Sequence, residues 1–129
     1  MERFLKITPV LLAEDVEACA AFWSGLGFET TMTVPFGEGL GFAALSADGI
    51  EVMYQSFDLA RAQDKTLIEG VGRSVIYIEV ASLADLEARI DEHSIAVPAR
   101  MTDYGAREIY VRDPSGNLIG FAEQVGRDG

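Results

Sequence analysis

Glu51 stands directly after the turn pair Asp48-Gly49, in a run that is otherwise apolar: Ile50, Val52, Met53 and Tyr54. A lone carboxylate in such a strand is costly to bury unless it is paired or protonated. It can anchor a cationic or hydrogen-bonding ligand, or it can reach water as a hairpin-edge residue. Strand alternation gives Met53 the same face. Paired with Tyr54 or Tyr104, Glu51 could also do acid–base work without a metal. His93 is the one histidine. A general base or metal ligand is one reading of it; a solvated residue at a helix end, favoured by the helix dipole, is the preferred one. Cys19 falls on an apolar helix face, so an inert buried thiol is expected rather than a nucleophile. As the lone cysteine it excludes a disulfide framework and any multi-cysteine metal site. Gly37, Gly39 and Gly41 alternate, but they open no helix after a strand and fail the context for phosphate binding. No nucleophile–base pair, P-loop or dinucleotide fingerprint is present, so no cofactor is expected.

These residues belong to a chain of 129 residues, 49% hydrophobic and 24% charged, which suits one domain or two small modules sharing a core. Ten Lys plus Arg against 21 Asp plus Glu give a net charge of −11. That balance argues against nucleic acid and anionic membrane surfaces, both of which reward positive charge. It is compatible with a cationic ligand, but plain solubility is the preferred reading. No apolar run is long enough to span a membrane. The N-terminus lacks a signal-peptide pattern, and a lone thiol suits a reducing compartment, so a cytoplasmic protein is expected.

The elements that position these residues repeat. Residues 5–13 read as a strand, and Asp15 caps a helix over 16–24 whose apolar face is Val16, Cys19, Phe22, Trp23 and Leu26. Residues 28–34 are extended, and residues 35–41 read as a loose connection. Asp48-Gly49 closes a hairpin between 42–45 and 50–55. After a polar connector at 57–72, with one short helix, the order returns. A strand spans 74–80, and a helix capped by Ser82 has Asp85 at the capping-box position and an apolar face of Leu83, Leu86 and Ile90. Extended runs follow at 95–98, 108–112 and 118–124, the last two flanking the turn at 113–117. Residues 126–129 read as a frayed tail. Val16 matches Leu83, Cys19 matches Leu86 and Gly49 matches Gly116, all at one offset of 67 (83 − 16, 86 − 19, 116 − 49). The expected fold is therefore α+β: two tandem βαβββ modules, 1–56 and 73–129, in one compact domain by duplication, whose curved mixed sheets form a cleft.

The duplicated order, the run Pro9-Val10-Leu11-Leu12-Ala13-Glu14-Asp15-Val16 leading to Phe22-Trp23 and Leu26-Gly27-Phe28, and Arg112-Asp113-Pro114-Ser115-Gly116-Asn117 resemble the vicinal oxygen chelate superfamily. That group includes glyoxalase I, extradiol dioxygenases and the bleomycin-resistance proteins. In its metal-dependent members four strands each supply a ligand, and the resemblance places those positions at Thr8, Glu51, Val75 and Gly120. A catalytic metal needs about three protein ligands, and of these four only Glu51 could serve. The bleomycin-resistance branch is the most similar, through Pro9, the Phe-Trp helix ending, and the step Tyr104-Gly105 before Arg107-Glu108. Tyr104 stands where that branch has tryptophan. Met32 and Phe36 fall at the branch's aromatic positions after the Leu-Gly-Phe motif. The resemblance implies a homodimer that sequesters a basic, flat-tailed antibiotic without turnover.

The leading expectation is a binding module that traps a planar or cationic small molecule in an acidic cleft, with Met32, Phe36, Glu51, Met53 and Tyr104 as ligand contacts, no metal and no cofactor. The alternative is a glyoxalase- or lyase-like enzyme with a degenerate metal site using Glu51.

Overall fold

The computed structural model describes residues 2–69 and 74–125. Contacts divide the chain into two units, residues 1–70 and 71–129. Each is built on one four-stranded mixed sheet.

In the first unit β1 (Val10–Ala13) leads into α1 (Val16–Gly25), followed by β2 (Glu29–Phe36), β3 (Gly39–Ala47) and β4 (Ile50–Ser56). The sheet order is β1-β4-β3-β2, with β1 parallel to β4 and the remaining pairs antiparallel. Asp15 starts α1 by accepting the Ala18 amide at 3.0 Å, and Gly27, at φ 102°, turns the chain out of it. The helix buries Val16, Cys19 and Trp23. Trp23 is fully enclosed, donates from Nε1 to the Tyr54 hydroxyl at 2.8 Å, and meets Phe28 edge-on at 4.7 Å. The partner Tyr54 is itself fully buried, which removes it as an acid–base partner for Glu51. The hairpin turn at Asp48-Gly49 has both residues at positive φ, 50° and 83°.

Two local expectations for this unit need correction. The first strand begins at Val10, not at residue 5, and Phe4, Leu5 and Ile7 are almost fully exposed. Apolar content alone did not give those residues a neighbouring strand to pair with. Residues 35–41 are no loose loop: β2 runs through Phe36, Gly37 turns at φ 64°, and β3 starts at Gly39. Pro35 is accommodated because β2 is the edge strand of its sheet. Residues 57–63 of the expected connector form α2 (Phe57–Gln63), capped by Ser56 and followed by one 3-10 turn.

The second unit repeats the plan with β5 (Val75–Glu79), α3 (Leu83–Glu87), β6 (Ile95–Met101), β7 (Ala106–Arg112) and β8 (Leu118–Gln124), in the order β5-β8-β7-β6. Val16 and Leu83, one offset apart, are the first residues of α1 and α3. The Ser82 hydroxyl accepts the Asp85 amide, and Glu123 of β8 accepts the Leu83 amide at 2.7 Å. The helix stops at Glu87, so Ile90 lies beyond it. Pro98 lies on edge strand β6 as Pro35 does on β2. The expected frayed tail, residues 126–129, lies outside the described residues.

Asp113 organises the last turn. Buried itself, it accepts the Ser115 and Asn117 amides at 2.9 and 2.8 Å on Oδ1 and the Asn117 side chain at 2.9 Å on Oδ2. Asp113→Ala is expected to lower stability by about 1–2 kcal/mol, read by urea denaturation, because it strips acceptors from partly buried donors.

Candidate functional site

The second unit carries an unusual polar cluster on one face of its sheet. Strand register sets Tyr77 of β5, Gly120 of β8 and Tyr110 of β7 in one row, and Glu108 of β7 beside Arg100 of β6 in the next. Alternation along β7 gives Glu108 and Tyr110 the same face. A Cβ at Gly120 would come within 2.6 Å of Tyr110 Cε2, so glycine lets that ring lie against the sheet. The turn from β6 to β7 is pinned at both ends. The buried Thr102 exchanges hydrogen bonds with Ala106, Gly105 adopts φ 84°, and its carbonyl accepts the Val125 amide at 2.8 Å. That turn presents Tyr104, 63% exposed.

Glu108 lies beneath these rings with no exposed surface. The hydroxyls of Tyr77 and Tyr104 both donate to its Oε2. Burial pushes the Glu108 carboxyl up, but the hydrogen bonds from Tyr104 and Tyr77, together with the Arg100 charge, outweigh it and hold the group below the usual glutamate value. The hydrogen bond to Glu108, with burial, pushes the Tyr77 phenol well above its ordinary value. Tyr110 is raised as well, by burial first and the Glu108 charge second. The cluster is a carboxylate ringed by neutral phenols, chemically a hydrogen-bond acceptor with aromatic walls. The upward shifts tune Tyr77 and Tyr110 away from acting as bases near neutral pH.

Sequence reasoning named Tyr104 but missed Tyr77, Arg100, Glu108 and Tyr110. A glutamate alternating with Arg107, Ile109 and Val111 gives no sign of being buried along with its apolar neighbours. The one available signal was the Arg107-Glu108 pair within the family motif.

The other expected contacts lie in the first unit. Met32 pairs with Ala44, and Ala44 with Met53, so the two methionines flank one alanine across three strands. Glu51 shares the Met53 face by alternation, and its Oε1 meets Lys6 Nζ at 2.6 Å with a largely covered side chain. In the free protein the largely exposed Lys6 is the cation that pairs with this carboxylate. Phe36 is not in this row. The β2 register slips between Val34 and Pro35, and Phe36 packs over Gly41. There it lines a hollow of about 400 Å³ with Glu14, Asp15, Glu17, Glu38 and Asp58. His93 is exposed in a 3-10 turn at Glu92–Ser94, and Cys19 is buried.

The residues present do not fit a divalent metal of the family type. Thr8 and Val75 offer no strong donor, Glu51 is paired with Lys6, and Tyr110 fills the space beside Gly120. Among the described residues, no three His, Cys, Asp or Glu side chains come together as a metal site would need.

The profile of the Glyoxalase/Bleomycin resistance protein/Dioxygenase superfamily matches residues 6–121. The chain belongs to that superfamily. Solved structures similar to this superfamily member include a bleomycin-binding protein from bleomycin-producing Streptomyces verticillus, complexed with copper(II)-bleomycin. That protein is 29% identical over 98% of this chain and 100% of its own, with a TM-score of 0.62. The bleomycin resistance determinant encoded on transposon Tn5 is 18% identical over 94% of this chain and 98% of its own, at 0.68. A lactoylglutathione lyase from Agrobacterium tumefaciens is 19% identical over 95% of each chain, at 0.72. The last two likenesses show the glyoxalase-superfamily fold. Among curated proteins, none matches the chain by sequence. No helix among the described residues is long and apolar enough to cross a membrane.

Proposed function

We propose that this chain binds a planar, positively charged small molecule and releases it unchanged, in the manner of a sequestering protein. The observation that carries this reading is Tyr104: an exposed ring whose hydroxyl is tied to a buried carboxylate and whose backbone turn is pinned. A ring held that way stacks on a flat ligand without losing further side-chain freedom, so binding forfeits little entropy. The net charge of −11 and the five carboxylates around Phe36 favour a cation and speed its encounter. Similarity to a bleomycin-binding protein supports the same chemistry. The proposal takes Met32, Phe36, Glu51, Met53 and Tyr104 as the ligand contacts, in a cytoplasmic homodimer whose two modules form one duplicated domain.

Calorimetric titration with metal-free bleomycin tests the reading. Saturation at about one ligand per chain, weakening as salt is raised, is the expected result. Tyr104→Ala is expected to weaken binding roughly tenfold, the equivalent of about 1.4 kcal/mol. Absence of heat at millimolar ligand would remove bleomycin as the ligand.

A further inference from the structure

One oxygen of the Glu108 carboxylate is left over. Oε2 takes both the Tyr77 and Tyr104 hydroxyls, whereas the buried Oε1 has no partner at hydrogen-bonding geometry, and Tyr110 adds only the weakest of the interactions that hold the carboxyl down. A buried acceptor without a partner is destabilising, the more so when it carries charge. Arg100 faces Glu108 across β6 and β7, but its Nη2 stops 3.7 Å from Oε1, beyond hydrogen-bond reach, on a half-exposed side chain. It supplies charge without completing a bond. Tyr77 and Tyr104, both exposed and both bonded to this carboxylate, make the adjoining surface aromatic.

We infer that Glu108 Oε1 anchors a cationic N–H donor of the ligand, an amidinium, guanidinium or protonated amine, docked beside Tyr77 and Tyr104. The inference rests on the binding reading above and names the chemistry of the ligand's charged end. In the free protein the Arg100 guanidinium stands in for that group, and on binding it swings into solvent. A charge-assisted hydrogen bond then replaces a long ion pair, while the phenol faces take the ligand's ring and its cation. Glu108 thereby does two things: one oxygen fixes the aromatic walls, and the other receives the ligand.

Three probes separate the contributions: benzamidine, which has a ring, a charge and N–H donors; benzamide, which lacks the charge; and phenyltrimethylammonium, which lacks the donor. Calorimetry on the full chain is expected to give benzamidine an affinity at least tenfold above the other two. Arg100→Ala should strengthen benzamidine binding several-fold by removing the competing cation. Glu108→Gln should erase the preference for benzamidine over benzamide, with its fold checked by circular dichroism. The Arg100 variant, changed at a half-exposed edge position, carries the test should the Glu108 variant unfold. Equal binding of benzamidine and benzamide overturns the inference, as does phenyltrimethylammonium binding as well as benzamidine. Weaker benzamidine binding in Arg100→Ala overturns it too. So does silence from all three probes, and the bleomycin titration then decides the wider reading on its own.

Discussion

Trp23→Ala should lower stability by about 3–5 kcal/mol, the range for deleting a fully buried aromatic side chain. Trp23 has no exposed surface and lies edge-on to both Phe22 and Phe28. Its indole N–H is held by the Tyr54 hydroxyl at 2.8 Å, so the substitution opens a cavity and also takes a donor from a buried phenol. Since it is the chain's one tryptophan, the loss is read by circular dichroism in urea rather than by fluorescence. Tyr54→Phe isolates the polar part and should lose about 1–2 kcal/mol. A Trp23→Ala loss below about 1 kcal/mol would mean that α1 does not depend on this packing.

The second large effect is at Glu108. Glu108→Ala is expected to destabilise the protein by about 2–3 kcal/mol, since two charge-assisted hydrogen bonds vanish and the phenols must find water instead. Glu108→Leu should lose less, because an apolar side chain of similar size also removes the burden of a buried charge. The two variants therefore divide packing from electrostatics. Acid adds a third arm. Because the folded carboxyl sits below its ordinary value, its contribution is fully present above about pH 4.5 and is lost as pH falls through the depressed folded value. The difference in stability between the parent and Glu108→Ala should shrink across that interval. A constant difference would show that the hydrogen bonds do not depend on the carboxylate's charge.

Much of this architecture was legible because it is written in local chemistry. Asp15 and Ser82 cap helices through their own side chains, Asp48-Gly49 turns because both positions take positive φ, and Asp113 folds its turn from within five residues. Those contacts span few residues and recur at the same offset, so the duplication could be read from spacing. The Tyr77–Glu108 contact spans 31 residues and joins two strands that are not sheet neighbours, and no local pattern records it. Glycine misled in the same way. Gly41 reads as part of a loose connection, yet it lies inside β3, where Phe36 and Leu59 occupy the space a side chain would need. Fold-level features of this chain are sequence-local; the site is made by register, and register between distant strands is set by the whole sheet.

Pro35 and Pro98 lie in the outermost strands of their sheets, each missing the amide a further strand would bond. Both strands also carry register irregularities, between Val34 and Pro35 and between Val97 and Arg100. Such borders are poor templates for another chain, because an incoming strand would meet an absent donor and an uneven ladder at the same place. Growth of either sheet by end-on addition at β2 or β6 is thereby blunted, and the chain is guarded there against runaway stacking into fibres.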